Sequence, residues 1–260
     1  MQLGFRLRIA IFFTDLQPQI LSKMKRLLAL ALVLVTMTSC NVLMQIAEEG
    51  AKGASNLPPS ESEISSGLKE ALKVGITNAV SSSSVKNGFL NNSLIKIPFP
   101  PEAERAANTL RDLGMGNIVD QFTETLNHGA EQAAAKAKPI FVNAITKMSF
   151  SDVYNIYRGG NDAATQYLKS STGDELKAAF RPVIKDAINK VELTKFWNPI
   201  AANYNRIPFV QKVNPNLEDY VLEQTLNGLF LVVAQEEAKI RLDPAARVSS
   251  ILKRVFGYKG

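Results

Sequence analysis

The 260-residue chain contains 30 basic and 24 acidic residues, and five of the basic residues but only one acidic residue fall within positions 1–39. Residues 40–260 therefore hold 25 basic and 23 acidic residues, a net charge of +2, which removes the main support for a nucleic-acid partner. One cysteine excludes an intramolecular disulfide, and one histidine excludes a His-pair zinc site.

The N-terminal segment divides into two parts. Residues 1–23 are interrupted by a proline and by polar side chains, which indicates an extension upstream of the true start codon. Residues 24–39 begin with two basic side chains and continue as an apolar run, an order typical of a secretory signal peptide. The apolar run is shorter than the roughly 20 residues that a membrane span needs. We therefore predict a signal peptide over residues 24–39.

The only cysteine, Cys40, directly follows this segment. Met37, Thr38 and Ser39 precede it in the order apolar, small, small, which resembles the bacterial lipobox. The resemblance implies cleavage behind Ser39 and attachment of acyl chains such as palmitate to Cys40. Two alternatives remain open: an ordinary signal peptide in which Cys40 is incidental, or a short buried helix.

The residues after the cysteine predict where the chain goes and how it is held. Asn41 is not an aspartate, which by the sorting rule of Gram-negative lipoproteins favours the inner leaflet of the outer membrane, with the body in the periplasm. Residues 40–64 are rich in serine, glycine and proline and offer little apolar surface to bury. We expect this stretch to be a flexible tether.

Residues 65–257 predict a helical domain. Apolar residues recur at steps of three and four, and no long alternating run indicates a sheet. We therefore expect an all-α fold, a compact multi-helix bundle. The predicted helices cover residues 65–80, 101–113, 118–148 with a bend near Pro139, 152–157, 162–168, 176–191, 194–205 and 217–241, and a last helix capped by Asp243 with Pro244 in its first position.

Two of these helices carry further signals. Thr172 followed by Glu175 has the spacing of a capping box and would start the helix through residue 191. The helix over residues 217–241 has acidic residues in its first turn and basic residues in its last, which suits the helix dipole. Its apolar stretch from Leu229 to Ala234 predicts a central helix enclosed on several sides.

A repeat is suggested by the alignment of residues 135–155 with residues 178–198. Six positions are identical, including Pro139 with Pro182. A proline inside a helical pattern bends the axis, and two matching bends would let two helices nest. The alternative is that amphipathic helices rich in alanine and lysine resemble each other by composition.

The most unusual local feature is the turn that contains Gly159, Gly160, Asn161, Asp162 and Thr165. Glycines allow close approach of a ligand, and the N–H groups at a helix start can hold an anion, so a small binding site is one interpretation. The other interpretation is a plain turn in which Asp162 caps the next helix.

The remaining motifs predict no catalytic site, metal or cofactor. No GxSxG elbow is present, and the cysteine belongs to the leader. Asp152, Asp162 and Glu131 are the only acids that we could name for an enzyme. Glu236 and Glu237 are adjacent and point about 100° apart on a helix, which predicts a solvated face.

Several separated motifs resemble one known family. They are GFLNN at 88–92, IKIPFP at 95–100, AKPIF at 137–141, NDAAT at 161–165, VNPNLEDY at 213–220 and AQEE at 234–237. Together they resemble the bacterial family catalogued as domain of unknown function 4197, from about Ser65 to Gly257. The resemblance implies an exported, often lipid-anchored protein of Gram-negative bacteria and brings no assigned activity.

Two functions are consistent with these features. The first is a non-enzymatic envelope lipoprotein, held on the membrane by its lipid anchor, whose helical body binds a protein or lipid partner. The second is a carrier of an apolar small molecule or lipid in a cavity between helices. The carrier would place Phe141, Tyr154, Phe180 and Trp197 around its ligand, whereas the simpler interpretation of these aromatics is an ordinary core.

Overall fold

The computed structural model describes residues 57–100, 103–190 and 216–258, together with residues 197, 202, 205–206, 208–209 and 212. Within these residues the regular structure is helical and includes no strand, which confirms the all-α fold. The elements are α1 (Glu61–Ser84), α2 (Glu104–Asp112), α3 (Gly116–Ala134), α4 (Ala137–Lys147), α5 (Phe150–Arg158), α6 (Ala163–Asn189), α7 (Leu217–Leu242), a 3-10 turn (Pro244–Ala246) and α8 (Ser250–Phe256).

Some predictions fall on other parts of the chain. The leader, Cys40 and the tether up to residue 56 lie outside the described residues, as does most of the helix predicted over residues 194–205. Among the helices that are described, none has both the length and the apolar character needed to cross a bilayer.

Helix α1 begins at Glu61 rather than at the predicted Ser65. Ser60 and Glu63 form a capping box, in which the Ser60 Oγ accepts the Glu63 N–H at 3.2 Å and the Glu63 carboxylate accepts the Ser60 N–H at 2.7 Å. This second bond is the main reason that the pKa of Glu63 is lowered from its ordinary value. The serine-rich stretch that we predicted to be tether up to residue 64 thus contains the start of the first helix.

The core lies between α1, α3, α6 and α7. Helix α6 packs against both α3 and α7, and α7 also packs against α1. The largest fully buried side chains include Phe89, Phe122, Phe141 and Phe180. Each such aromatic contributes about 1.5–3 kcal/mol by leaving water, so these four residues make a large share of the packing energy. The expected central helix is confirmed as α7, which has buried residues from Leu217 to Ile240.

The predicted single helix over residues 118–148 is two helices. α3 ends at Ala134 and α4 begins at Ala137, so the break precedes Pro139 instead of lying at it. The proline has no N–H to give to the carbonyl of Ala135, and in the first turn of a new helix that bond is not required. Pro139 therefore marks a break in the helical pattern, as the sequence indicated, but it lies in the first turn of a new helix and does not bend a continuous one.

The predicted boundary at Thr172 is wrong. α6 runs without a break from Ala163 to Asn189, so the two helices expected over 162–168 and 176–191 are one. The Thr172 hydroxyl donates to the carbonyl of Leu168 at 2.6 Å and lies buried inside the helix, instead of capping a new one. A threonine can satisfy its hydroxyl in this way in mid-helix, which the capping-box spacing alone does not reveal.

The two segments of the proposed repeat differ in how they use their prolines. Pro139 lies in the first turn of α4, whereas Pro182 lies inside α6, far from its start. Their C-terminal ends differ by one position, because α4 ends at Lys147, which aligns with Lys190, whereas α6 ends at Asn189. The expectation of two matching bends is therefore wrong.

The last helix begins later than predicted. Asp243 caps as expected, with its carboxylate accepting the N–H of Ala245 at 2.8 Å, and Pro244 takes the first position. This start yields only a 3-10 turn, and α8 follows from its own cap, Ser249. Helix α8 packs closely on α1, where a Cβ added to Gly67 would lie 2.6 Å from a methyl carbon of Val255.

Candidate functional site

The turn between α5 and α6 lies against the C-terminal half of α7. Gly159 ends α5 by donating its N–H to the carbonyl of Ile156 at 3.1 Å. A Cβ at this position would lie 2.6 Å from the Cβ of Ala163 and 3.0 Å from the carbonyl oxygen of Asn155. Glycine is therefore required here by close packing of the two helix ends, and not by an unusual backbone angle.

Glu237 of α7 caps the start of α6 from across the helix interface. Its Oε1 accepts the N–H of Ala164 at 3.0 Å, and its Oε2 accepts both the N–H and the hydroxyl of Thr165 at 2.9 Å. The side chain is buried, so these bonds lie in a low-dielectric setting where charge-assisted bonds are strong. A negative charge at this position also suits the positive end of the α6 dipole.

Arg241, one turn further along α7, completes the arrangement. Its Nη2 donates to Glu237 Oε1 at 3.0 Å and to the carbonyl of Ile156 at 2.8 Å. Its Nε also donates to Glu237 Oε1, at 3.1 Å. The cation lies at the negative end of α5 while its partner lies at the positive end of α6, so each charge matches the helix end that it meets. We call these two residues, with the α5 and α6 ends that they bind, the helix-end clamp.

The structure separates the five predicted turn residues by role. Thr165 is the one whose backbone and side chain both bond to Glu237. Asp162 makes no side-chain cap bond, contrary to our expectation, and instead accepts the Gln166 amide at 3.1 Å. Gly160 and Asn161 are exposed. The helix-start donors of Ala164 and Thr165 on which an anion site would depend are thus already bonded within the chain.

Beside the clamp lies a small, mostly apolar cavity of about 20 Å³ between α1 and α7. Leu68, Leu72 and Ile76 of α1 line it, together with Val233 and the clamp residues. A cavity needs about 10–15 Å³ to hold one water molecule, so this cavity has room for about one. It is far too small for an acyl chain.

A second buried carboxylate holds the segment between α1 and α2. Glu131 of α3 is 4% exposed, and its Oε1 accepts the N–H of Phe89 at 3.1 Å and that of Leu90 at 3.4 Å. One turn earlier, the fully buried Asn127 accepts the N–H of Ile97 and donates to its carbonyl, both at 2.8 Å. These two side chains serve as backbone partners for a segment without regular structure, which explains why a helix interior carries buried polar residues.

Two open hollows lie on the surface. One, of about 310 Å³, lies between Lys169–Lys177 of α6 and Glu223–Phe230 of α7. The other, of about 320 Å³, is lined by Ser84, Lys86, His128, Glu131 and Gln132. Across the described residues, no group of three or more histidine, cysteine, aspartate and glutamate side chains could hold a metal ion.

Of the four aromatics that the carrier hypothesis grouped together, Phe141, Phe180 and Trp197 are buried in one core cluster, and Tyr154 lies outside it. Phe141 and Phe180 are fully buried, and Phe141 packs edge-on to Phe230 with ring centroids 5.7 Å apart. Tyr154 instead stacks on Phe150 at the surface, with the guanidinium of Arg158 4.8 Å from the centre of its ring. None of the three cavities described above is lined by any of the four, so the buried three act as ordinary core.

The described residues and their buried polar groups define a helical domain in which we can name no catalytic arrangement. The chain matches the family described as "Protein of unknown function (DUF4197)" over residues 58–257, and it therefore belongs to that family. This match confirms the resemblance carried by the sequence motifs and extends it to residue 58. No curated protein and no solved structure matches the chain.

The sequence reasoning missed the helix-end clamp, because it assigned Glu237 to a solvated face. One signal could have found it: Glu237 and Arg241 are spaced i, i+4 on a helix whose other residues are mostly apolar, and a buried charge needs a partner at that spacing. The glutamate's bonds to α6 could not be read from the sequence, since they join residues more than 70 positions apart.

Proposed function

We propose that this protein is a cell-envelope lipoprotein, anchored through Cys40, whose helical body binds a protein or lipid partner and does not catalyse a reaction. The observation that carries the proposal is the order of parts: a signal-like segment, a lone cysteine, and then a domain that matches one family over residues 58–257. Asn41 supports the inner leaflet of the outer membrane as the destination.

The use of the buried acids supports a binding role. Glu131 and Glu237 are the two buried carboxylates of the described residues, and each accepts backbone N–H groups of the chain itself. Asp152, another acid considered for catalysis, is engaged in the cap of α5 with Ser149. These three carboxylates, which an enzyme of this fold could have used for catalysis, are therefore hydrogen-bonded within the fold.

The carrier alternative has less support. Its aromatics line none of the three cavities described above, and the apolar cavity between α1 and α7 holds about 20 Å³. A lipid chain would require the helices to separate. We therefore prefer a surface-binding role to an internal ligand.

Metabolic labelling tests the anchor directly. Cells that express the protein are grown with labelled palmitate, and the wild type is compared with Cys40→Ala and with the control Ser39→Ala, which keeps a small residue before the cysteine. We expect label in the wild type and in the control, none in Cys40→Ala, and wild-type protein in the outer-membrane fraction. Equal labelling of wild type and Cys40→Ala, or unprocessed wild type in the cytosol, would contradict the proposal.

A further inference from the structure

One oxygen of the buried Glu131 carboxylate receives no hydrogen bond from the described residues. Its Oε1 accepts the N–H groups of Phe89 and Leu90 and so holds the segment between α1 and α2. Its Oε2 lies 4.0 Å from the Nε2 of His128, which is too far for a hydrogen bond. Glu131 is 4% exposed, and a buried acceptor without a donor costs free energy. This oxygen therefore requires a donor from outside the described chain.

His128 does not supply that donor. Its Nε2 lies 3.1 Å from the Oδ1 of Asn87, which can only accept, so the Nε2–H points at Asn87. Asn87 has a φ of 64°, in the left-handed region that asparagine adopts more readily than most residues. Among the described residues, His128 is also the one basic side chain within 4.0 Å of the Glu131 carboxylate.

The unbonded oxygen is open to a hollow on the surface. Glu131 lines the hollow of about 320 Å³ described above. Within the described residues, the side-chain atoms that are both wholly buried and unbonded are the Ser83 hydroxyl and the Trp197 ring nitrogen, so Oε2 keeps access to this hollow. The volume is at the lower end of the range of roughly 300–1,000 Å³ that small-molecule sites have.

The end of helix α1 adds negative potential to the same place. Ser84, the last residue of α1, lines the hollow, and the last turn of the helix contains no basic residue. The C-terminal carbonyl groups carry the negative end of a helix dipole, which favours a cation. Together with the Glu131 carboxylate, this helix end makes the floor of the hollow suited to a positively charged donor.

The rim of the hollow offers donors of its own. Lys86 and Gln132 line it and are exposed. Within the described residues, the side chains of Ser84, Lys86 and Gln132 form no hydrogen bond. A hydroxyl, an ammonium and an amide can all donate to an anion. The hollow thus has a negative floor and a positive rim, an order that matches a zwitterion that enters with its cation first.

We propose that this hollow binds a small zwitterion, whose primary ammonium donates to Glu131 Oε2 and whose anionic group is held by Lys86. The ethanolamine headgroup of a phospholipid has this chemistry, and so has a free amino acid. The headgroup carries its ammonium at the end away from the acyl chains, and Val85, 56% exposed beside Lys86, offers those chains an apolar contact at the rim. The inference rests on the proposed function, for which it names a binding site.

Calorimetric titration tests the ligand chemistry. The full chain with Cys40→Ser, which cannot be acylated, is titrated with phosphoethanolamine and with phosphocholine. Phosphocholine carries the same charges, but its trimethylated nitrogen has no N–H to donate. We expect saturable binding of one phosphoethanolamine per chain. Phosphocholine should bind at least about tenfold more weakly, because it cannot form the hydrogen bond to the carboxylate.

The variant Glu131→Gln separates the ligand role of this residue from its structural role. A glutamine keeps one oxygen for the N–H groups of Phe89 and Leu90 and replaces Oε2 by an NH₂ group that cannot accept. We expect the helical circular dichroism to be retained and the Kd for phosphoethanolamine to rise at least about tenfold. Glu223→Gln is the matched control, because it changes an exposed acid that lines the other hollow, and it should leave the Kd unchanged.

The anionic end and the source of the ligand are tested in the same way. Lys86→Gln should raise the Kd for phosphoethanolamine severalfold, whereas Lys169→Gln, at the other hollow, should not change it. Two further probes are β-alanine, which has a carboxylate in place of the phosphate, and dihexanoyl phosphatidylethanolamine. Tighter binding of the lipid than of both free compounds assigns the site to a headgroup. If a free compound binds as tightly or more tightly, the ligand is a free zwitterion.

Three results would overturn the proposal: no binding of phosphoethanolamine, β-alanine or the lipid; equal binding of phosphoethanolamine and phosphocholine; or an unchanged Kd in folded Glu131→Gln. The comparison of the two phosphate esters needs no change at Glu131 and decides the matter even if that variant does not fold. Because Cys40 is absent throughout, these results are separate from the palmitate test. A labelled protein that binds no zwitterion would remain a lipoprotein without this site.

Discussion

Glu237 joins three helices through one carboxylate. It accepts three bonds from the start of α6 and pairs with Arg241, which holds the end of α5. Both side chains are almost fully buried, with 11% of the Arg241 side chain and 6% of the Glu237 side chain exposed. Removing one partner of such a pair leaves the other charge buried without compensation, which costs far more than the pair contributes as a whole.

We therefore predict that Glu237→Gln lowers the free energy of unfolding by about 3–5 kcal/mol. The neighbouring Glu236→Gln is the matched control. Its side chain is also mostly buried, at 12% exposed, but its charged partner Lys239 is 59% exposed and can turn to water, so the loss of the charge should cost only about 1 kcal/mol. Urea unfolding followed by circular dichroism measures both. Equal losses in the two variants would mean that the clamp is not a buried charge site.

A second prediction concerns pH. Asp152 accepts the hydroxyl of Ser149 at 2.7 Å and its N–H at 2.9 Å, and these bonds, the hydroxyl first, lower the pKa of Asp152 from its ordinary value. A pKa that is lower in the folded state than in the unfolded state adds stability above the unfolded value. That stability is lost as the pH falls through the folded value.

Asp152→Asn should therefore be less stable than the wild type at pH 7, and the difference should shrink as the pH falls below about 4. Thermal unfolding at a series of pH values gives the comparison. Asp174→Asn is the control, because Asp174 is fully exposed and its contact with Lys177 is long, at 3.8 Å. A difference for Asp152→Asn that is constant from neutral to acid pH would contradict the role of the charge.

At the scale of elements, the sequence predicted the helices well where the signal is local. The bounds of α7 are within one residue of the prediction, because its capping residues and its apolar stretch lie within the helix itself. The errors occur where one signal has two structural uses. Pro139 can bend a helix or begin one, and Thr172 can cap a helix or bond back within it, and only the surrounding packing decides between them.

The two prolines give a prediction at this scale. Pro182 lies in the interior of α6 on an exposed position, and there it removes the bond to the carbonyl of Ala178. We expect Pro182→Ala to raise the free energy of unfolding by about 2 kcal/mol, after allowing for the greater freedom of the unfolded chain. Pro139→Ala, also exposed but in the first turn of α4, should change it by less than about 1 kcal/mol. Chemical denaturation of both variants tests this. If the two substitutions change the free energy of unfolding by similar amounts, the two prolines have the same structural role, as the repeat predicted.

At the scale of the whole molecule, the all-α fold and the family could be predicted from periodicity and from separated motifs. The candidate site could be predicted only in part. The turn at residues 159–165 was recognised because its glycines and acid are adjacent in sequence, but its real partner, Glu237, comes from another helix.

The net positive charge of the whole chain comes mostly from the leader. Five of the 30 basic residues and one of the 24 acidic residues lie ahead of Cys40 and would be removed with it. Residues 40–260 hold 25 basic and 23 acidic residues. The basic start of the leader fits its proposed role in export, which needs a cationic stretch ahead of the apolar run.

The mass of the mature N-terminal peptide tests the central claim most directly. The protein is isolated from the membrane fraction and digested, and the peptide that starts the chain is measured by mass spectrometry. The account predicts a peptide that begins at Cys40 and carries a diacylglyceryl group on its sulfur. A peptide that begins elsewhere, or an unmodified Cys40 inside an intact leader, would contradict it.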